Sequence, residues 1–396
     1  MNIKFISLLS LSFFTLLSCS NKNNGSILES DKKSPISDNE KKSITIKDKS
    51  NIITKSLENL SPYLFTNDGN TVISPSSYAV AMGGLLSVSS NVDSLKEKNG
   101  FSSSVKEETN SLLNSFNWSI NEGKSSIGSA LLHQQVGTKY AFDEEKVRSV
   151  ETDHIKTMVT DRANAKNDAQ EYLKEKIDFS LELPECDMDE GTLTIGAVKM
   201  IDYFQETQKE AKMSFNTVSE TIEVKAYPFY QSSFNYYKGT NYKACLIPVR
   251  ETSNLVILPD EGVSLKDINL SKAYNDFMSK AKIKQIIGYL PYFHTKSTLD
   301  LTNMIKKQIT GNEIYYSSLL KDDVVNDLQI TAVIQGTDYT FSPTGSKGES
   351  YTEIMGCGSA GPTSYEVFEV NRPFYALSIY DSFPMFVSKV TNPNQA

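Results

Sequence analysis

The sequence predicts an α+β fold in one large domain, and three observations carry that expectation. Helical periodicity fills the first part of the chain after about residue 51, and strand patterns dominate the remainder. Nothing divides the two: no internal repeat and no second low-complexity stretch interrupts residues 51–396. Helices first and strands later, with some mixing, then belong to a single body with large sheets.

Ile52 to Leu64 carries apolar residues at three- and four-residue spacing, which predicts a helix. Ser76 to Leu86 follows Ser74-Pro75 as a helix of small residues, and Val105 to Phe116 continues the pattern. Leu131 to Val136, Thr192 to Val198 and Thr221 to Tyr227 predict strands, the last alternating Ile222, Val224 and Ala226. Asn254 to Pro259 is a short apolar run closed by a proline, suited to a buried strand. Leu328, Ile330, Ala332 and Ile334 alternate with polar neighbours and predict one long late strand. Phe374 to Tyr380 and Met385 to Val390 are aromatic, β-branched runs that predict two closing strands.

Upstream of this body, one lysine precedes an apolar run from Phe5 to Leu17, too short to span a bilayer at ~20 residues. It reads as a signal peptide over residues 1–18, and Leu16-Leu17-Ser18-Cys19 resembles a bacterial lipoprotein box. Cys19 is then the lipidation site, and residues 19–50, rich in Asn, Ser, Lys and Asp, are a solvated tether. The expectation is an exported protein, lipid-anchored in the bacterial cell envelope.

Composition excludes several kinds of chemistry. Among 396 residues, 40 basic and 48 acidic side chains give a net charge of −8, which speaks against a nucleic-acid partner. There are 3 histidines, 4 cysteines and one tryptophan, so a zinc cluster or disulfide framework is hard to build. His133, His154 and His294 lack metal-ligand spacing and read as ordinary strand or helix positions. Ser74 and Ser76 lie outside any Gly-x-Ser-x-Gly elbow. Cys245 reads as a small buried hydrophobe, and Cys357 has no histidine near it in sequence. No enzymatic activity, metal or cofactor is expected.

Four motifs, in order, resemble the serpin family. Asn70-Thr71-Val72-Ile73-Ser74-Pro75-Ser76-Ser77 is similar to its strand that turns through Ser-Pro into a helix. Leu255-Val256-Ile257-Leu258-Pro259 resembles its strand ending in Leu-Pro, and Leu290-Pro291-Tyr292-Phe293 its Pro-x-Phe strand. Asn371-Arg372-Pro373-Phe374 and Met385 to Pro393 resemble its C-terminal hairpin and terminal Asn-Pro. The likeness spans about residues 51 to 393 and implies a serpin-like domain with an exposed reactive loop. Three positions depart from the family pattern. Ile195-Gly196-Ala197 stands where an Asn-Ala pair is usual, with no tryptophan after it; Gln335 replaces a histidine; Pro343 replaces a glutamate.

The resemblance implies a suicide substrate: a protease cuts the loop, and its N-terminal half enters the central sheet while the acyl-enzyme persists. The protease supplies the nucleophile. The hinge falls at Thr344-Gly345-Ser346. Strand side chains alternate between two faces, so the inserting set is Ser346, Gly348, Ser350, Thr352 and Ile354, of which all before Ile354 are small and uncharged. Lys347, Glu349, Tyr351, Glu353 and Met355 form the outward set. Counting from either end brackets the scissile bond within Gly358, Ser359, Ala360, Gly361, Pro362 and Thr363. Small residues there and no Arg or Lys between Glu349 and Tyr365 suit an elastase-like serine protease better than a trypsin-like one, a cysteine protease being the second choice. Ser74, Ser77 and Gln335 form the region that holds the sheet closed. The chain is expected to act as a monomer. The alternative is a non-inhibitory serpin-like binding or structural protein whose loop is only cut.

Overall fold

The computed structural model describes residues 46–90, 92–119, 125–204, 210–309, 319–321, 330–346 and 365–395. They belong to one compact unit, residues 42–396. Leu16-Leu17-Ser18-Cys19, Cys357 and all of residues 347–364 lie outside the described residues.

The chain opens with helix α1 (Ile46–Leu60) and a 3-10 turn at Ser61–Phe65, then short strand β1 (Thr71–Ile73) and α2 (Pro75–Ser87). Two further helices, α3 (Asp93–Lys98) and α4 (Val105–Ser115), precede β2 (Trp118–Ser119) and β3 (Ser126–Val136). Next come α5 (Glu144–Val150), β4 (Ile155–Thr160), α6 (Ala165–Ile177) and β5 (Gly191–Tyr203). Strands β6 (Ala211–Asn216), β7 (Thr221–Lys238), β8 (Tyr242–Pro248) and β9 (Ser253–Pro259) follow, then α7 (Leu270–Lys280). The last part holds β10 (Lys282–Pro291), β11 (Phe293–Asp300), α8 (Thr302–Gln308), β12 (Ile334–Phe341), β13 (Gly345–Ser346), β14 (Glu366–Glu369), β15 (Phe374–Tyr380) and β16 (Phe383–Val390).

A nine-stranded sheet runs β1-β16-β15-β9-β8-β7-β10-β14, with β6 also on β7. Strand β7 is long enough to join two regions, pairing β6 along its first part (Thr221 to Ala226), β10 from Ala226 to Tyr236 and β8 at its end. Every residue of β16 is buried, so its apolar run has core on both faces. The β15–β16 loop is Asp381-Ser382, both at positive φ (45° and 61°), the signature of a two-residue type I′ turn. Lys49 of α1 pairs with Asp381, and the Tyr274 hydroxyl of α7 donates to Ser382 O. With this anchoring α1 runs from Ile46 to Leu60, starting and ending earlier than the Ile52 to Leu64 expected from apolar periodicity alone.

The second sheet centres on β3, which pairs antiparallel with β5 and parallel with β4; β11 and β12 form an antiparallel pair of their own. Helix α2 packs on β16 and on β5, joining the two sheets. Such an approach demands small residues: a Cβ on Gly84 would sit 2.4 Å from Leu131 Cδ1. Helix α6 covers the opposite face of β3 and β5 through Leu173, Ala130 and Ala197.

The late strand β12 starts at Ile334, and Ile330 and Ala332, expected to belong to it, lie outside any strand; Leu328 is outside the described residues. The cause lies at Val333, whose N–H donates to Thr302 Oγ1 and whose carbonyl accepts from Leu301 N. These bonds hold it to the start of α8 rather than to a ladder.

His133 is 1% exposed on β3, with Nδ1 3.1 Å from Thr194 Oγ1 on β5. Burial drops its pKa from 6.5 to about 4. Above pH 6.5 the ring is neutral in both states. Between pH 6.5 and 4 only the unfolded chain takes the proton, so stability falls as pH falls, by up to about 3 kcal/mol. Urea melts at pH 7 and pH 4 should show His133→Gln losing that much less stability than the parent; equal losses would refute the assignment.

Candidate functional site

The site is a slot in a sheet. Strand β12 pairs with β11 along one edge, from Phe293↔Phe341 to Asp300↔Ile334. Among the described residues no ladder joins its other edge to β5. Unpaired strand edges are templates for another strand. At the upper end of the slot one already sits: β13 pairs antiparallel with β5, Gly345↔Tyr203 and Ser346↔Asp202.

The turn that delivers β13 explains the departure at residue 343. Gly345 N donates to Ser342 O and Ser342 N to Gly345 O, both at 3.0 Å, closing a tight reversal. Pro343 takes the second position of that turn, where its fixed φ is favoured. Ser342 Oγ adds contacts to Thr344 Oγ1 at 2.9 Å and Gly345 O at 2.9 Å. Gly345 has φ +111°, and a Cβ there would lie 2.6 Å from Phe204 N and 2.7 Å from Asp202 O. Only glycine fits. The hinge residues Gly345 and Ser346 thus lie against the top of β5, with Thr344 O accepting from Phe204 N at 3.2 Å.

Lower down, the N-terminus of α2 holds both sides of the slot. Ser74 caps the helix, its Oγ accepting from Ser77 N at 3.2 Å, and Pro75 fills the first turn. On the β12 side, Gln335 Oε1 accepts from Ser74 N at 3.0 Å and Gln335 Nε2 donates to Ser74 O at 2.9 Å. On the β5 side, Ser77 Oγ donates to Gly196 O at 3.0 Å. Beneath, Ser74 Oγ and Ser76 Oγ both donate to Met385 O on β16, at 2.9 and 3.0 Å. Gln335 supplies the donor and the acceptor that this closure needs. Gly196 has its own reason: a Cβ there would fall 2.4 Å from Ala81 N. A larger residue would push α2 off β5.

Sequence reasoning brought Ser74, Ser77, Gln335, Gly345 and Ser346 to this slot. Gly348, Ser350, Thr352 and residues 358–363 fall outside the described residues. Several members were not singled out. Phe204, directly after β5, is buried under the hinge, 5.2 Å from the Tyr227 ring and 5.9 Å from Phe341. Asp202 is buried and accepts from Thr252 N and Oγ1, both at 2.7 Å, tying β5 to the β8–β9 turn. Thr337 Oγ1 is buried on β12 without a hydrogen-bond partner. No local pattern in the sequence marks them, because their contacts pair residues far apart in the chain.

The remaining candidates are dispersed. His154 is half-buried before β4, its pKa lowered by burial and by Lys176. His294 Nε2 lies 2.9 Å from Asp338 Oδ1 across β11 and β12. Cys245 is buried, which pushes its thiol pKa up; Cys186 is half-buried. Among the described residues no group of three His, Cys, Asp or Glu could hold a metal ion. No described helix is long and apolar enough to cross a membrane.

Gln335→Leu removes both bonds to Ser74; Ser74 O keeps Tyr78 N at 3.1 Å, but Ser74 N loses its acceptor. The cost of a buried unpaired donor is about 1–3 kcal/mol. Ser77→Ala removes one bond and should cost about 1 kcal/mol. Urea denaturation measures both, and no loss in Gln335→Leu would remove the clamp from the account.

A family model described as serpin (serine protease inhibitor) matches residues 55–393. No curated protein sequence matches the chain. Among solved structures, Serpin48 of the insect Tenebrio molitor, a highly specific serpin, is similar at TM-score 0.70 and 18% identity, covering 91% of this chain and 100% of that one. The thermophilic serpin Tengpin in its native state aligns at TM-score 0.71 and 18% identity, over 91% of this chain and 96% of its own. Human thyroxine-binding globulin, in complex with thyroxine, aligns at TM-score 0.72 and 15% identity, over 88% of this chain and 99% of that one. At these identities the structures speak for the fold, whereas the family match extends from within α1 to beyond β16. The chain belongs to the serpin family.

Proposed function

We propose that this serpin is an exported, lipid-tethered inhibitor that captures an elastase-like serine protease by inserting its cut loop between β5 and β12. One observation carries the reading: β13 already lies antiparallel on β5 at the head of a slot whose other edge, on β12, has no ladder partner among the described residues. The chemistry belongs to the protease. Its serine attacks a backbone carbonyl within residues 358–363, the peptide bond breaks, and the new amine stays attached to β14. The upstream half remains as an ester on the protease and is free to move.

Continuing the β13–β5 register gives that half a consistent seat. Gly348 would come opposite Met200, Ser350 opposite Val198 and Thr352 opposite Gly196, all on the core side of β5. The turn pairing Ser342↔Gly345, extended along β12, independently brings Gly348 to Tyr339, Ser350 to Thr337 and Thr352 to Gln335. The two registers agree. Glycine then falls between two large side chains, and the Ser350 hydroxyl meets the unpartnered Thr337 hydroxyl. Thr352 arrives at the clamp, so Ser77–Gly196 and Gln335–Ser74 must part before insertion passes that level. On the outward face Glu349 would lie opposite Lys199, now bonded to Asp178. Export and anchoring rest on Cys19 and the apolar leader.

Incubation with pancreatic elastase should yield a covalent complex that survives denaturing electrophoresis. Loop-cut protein alone, across a broad protease panel, would leave only a substrate. Ser350→Arg places a charge on the buried face, at a cost of several kcal/mol, and should convert the inhibitor to a substrate cut at an unchanged rate. Glu349→Gln, on the outward face, should keep most complex formation. Equal behaviour of the two variants would contradict the register. For the anchor, mass spectrometry should find lipid on Cys19, and Cys19→Ala should release the protein from membranes; an unmodified cysteine would refute the tether.

A further inference from the structure

The described chain has eight large hydrophobic side chains that stand exposed, and four of them share one face: Tyr230, Ile283, Tyr365 and Val367, 62%, 72%, 52% and 50% exposed. Register shows why they cluster. Ile287↔Val367 and Tyr289↔Glu369 pair β10 with β14, while Phe229, Phe234, Ile286 and Leu290 occupy the core side. Period-two alternation therefore puts Ile283, Ile287, Tyr289, Tyr365 and Val367 on the outer face. The irregularity in the β7–β10 ladder near Ile286 turns Tyr230 onto it as well, its ring edge-on to Tyr289 at 6.3 Å. Exposed Ser233 and Asn235, opposite Gln285 and Ile283 on β7, and exposed Glu369 on β14 rim the patch on the same face. Contiguous apolar area with a polar rim is the composition of an interface core, and tyrosine is among the residues that carry binding energy there.

The position of the patch selects its occupant. Tyr365 and Val367 are the first described residues after the loop, and the proposed scissile region, residues 358–363, ends two to seven residues before Tyr365. Extended chain covers ~3.3 Å per residue, so the cut bond lies within about 7–23 Å of this face. A protease domain of ~220 residues has a radius of gyration of about 17 Å. A protease seated on the bond has its own bulk at the height of β14. Because Tyr365 lies downstream of the cut, the contact falls on the rim of the protease cleft that holds the leaving half of the substrate.

The geometry points to a second recognition surface, made by Tyr230, Ile283, Tyr289, Tyr365 and Val367, that docks an apolar patch beside the leaving-group side of the target protease's cleft. This rests on the proposed cleavage of the loop, but not on trapping. The face adds affinity to the encounter and selects among proteases that the small residues at 358–363 alone would admit.

The test compares cleavage of intact protein with cleavage of a free peptide spanning residues 346–364, using pancreatic elastase as the probe. Tyr230→Ser/Val367→Ser and, separately, Val367→Lys should each lower the second-order rate on intact protein at least fivefold. Because the changes are on exposed side chains, melting temperature should stay within a few degrees, and peptide cleavage gives the loop's intrinsic rate. The readout counts cut and trapped protein together, so failure to inhibit does not mask it. Unchanged rates in both variants would overturn the surface. So would a dimer of the parent chain in sedimentation that the variants dissolve, which would assign the face to a second copy.

Discussion

The hydrogen bonds between the Gln335 carboxamide and the backbone of Ser74 are the constraint on which the remaining structure turns. Among the described residues two strand edges, on β5 and β12, stand without a ladder between them, an arrangement that open sheets normally avoid. The molecule keeps it because α2 lies beneath both edges and bonds to each. For that, the helix must approach closely, which Gly84 and Gly196 allow, and must end at the right height, which the Ser74 cap and Pro75 determine. Ser76 and the Ser74 hydroxyl then fasten the same turn to β16. One helical turn thereby couples the slot to the hydrophobic core.

A closure made of a few hydrogen bonds has the right strength for its task. Each contributes on the order of 1 kcal/mol net, so together they restrain the edges without making separation prohibitive. An entering strand would offer a run of ladder bonds in exchange. The hinge lowers the threshold further, since Pro343 and Gly345 already reverse the chain and set its first residues on β5. The polar groups under the slot, Thr337 beside Tyr339 and Asn254, fit a surface meant to meet hydroxyls rather than a dry aliphatic layer.

Much of this was legible in the sequence because it is local. Capping by Ser74 and Pro75, the buried run at Asn254 to Pro259 and the closing strands from Phe374 and Met385 depend on neighbours a few residues away. The hinge at Gly345 could be placed because the strand before it fixes the count. Features that depend on pairing over distance were not legible. Phe204 shows no sign in sequence that it will lie beneath the hinge. The stretch leading to Ile334 reads as strand because Leu328, Ile330, Ala332 and Ile334 alternate, yet Val333 is drawn away by Thr302. The face around Tyr230 exists only because β7, β10 and β14 align, and a ladder irregularity there turns one tyrosine outward. Pro343 departs from the family pattern in sequence, and only the turn it occupies gives that departure a reason.

The central claim is that the slot between β5 and β12 accepts the loop as a new strand. Calorimetry before and after nicking within residues 358–363 tests it most directly. Insertion replaces two unpaired edges with continuous ladders, and the melting temperature should then rise on the order of 10 °C or more. An unchanged or lower melting temperature after complete nicking would contradict the account, whatever protease had made the cut.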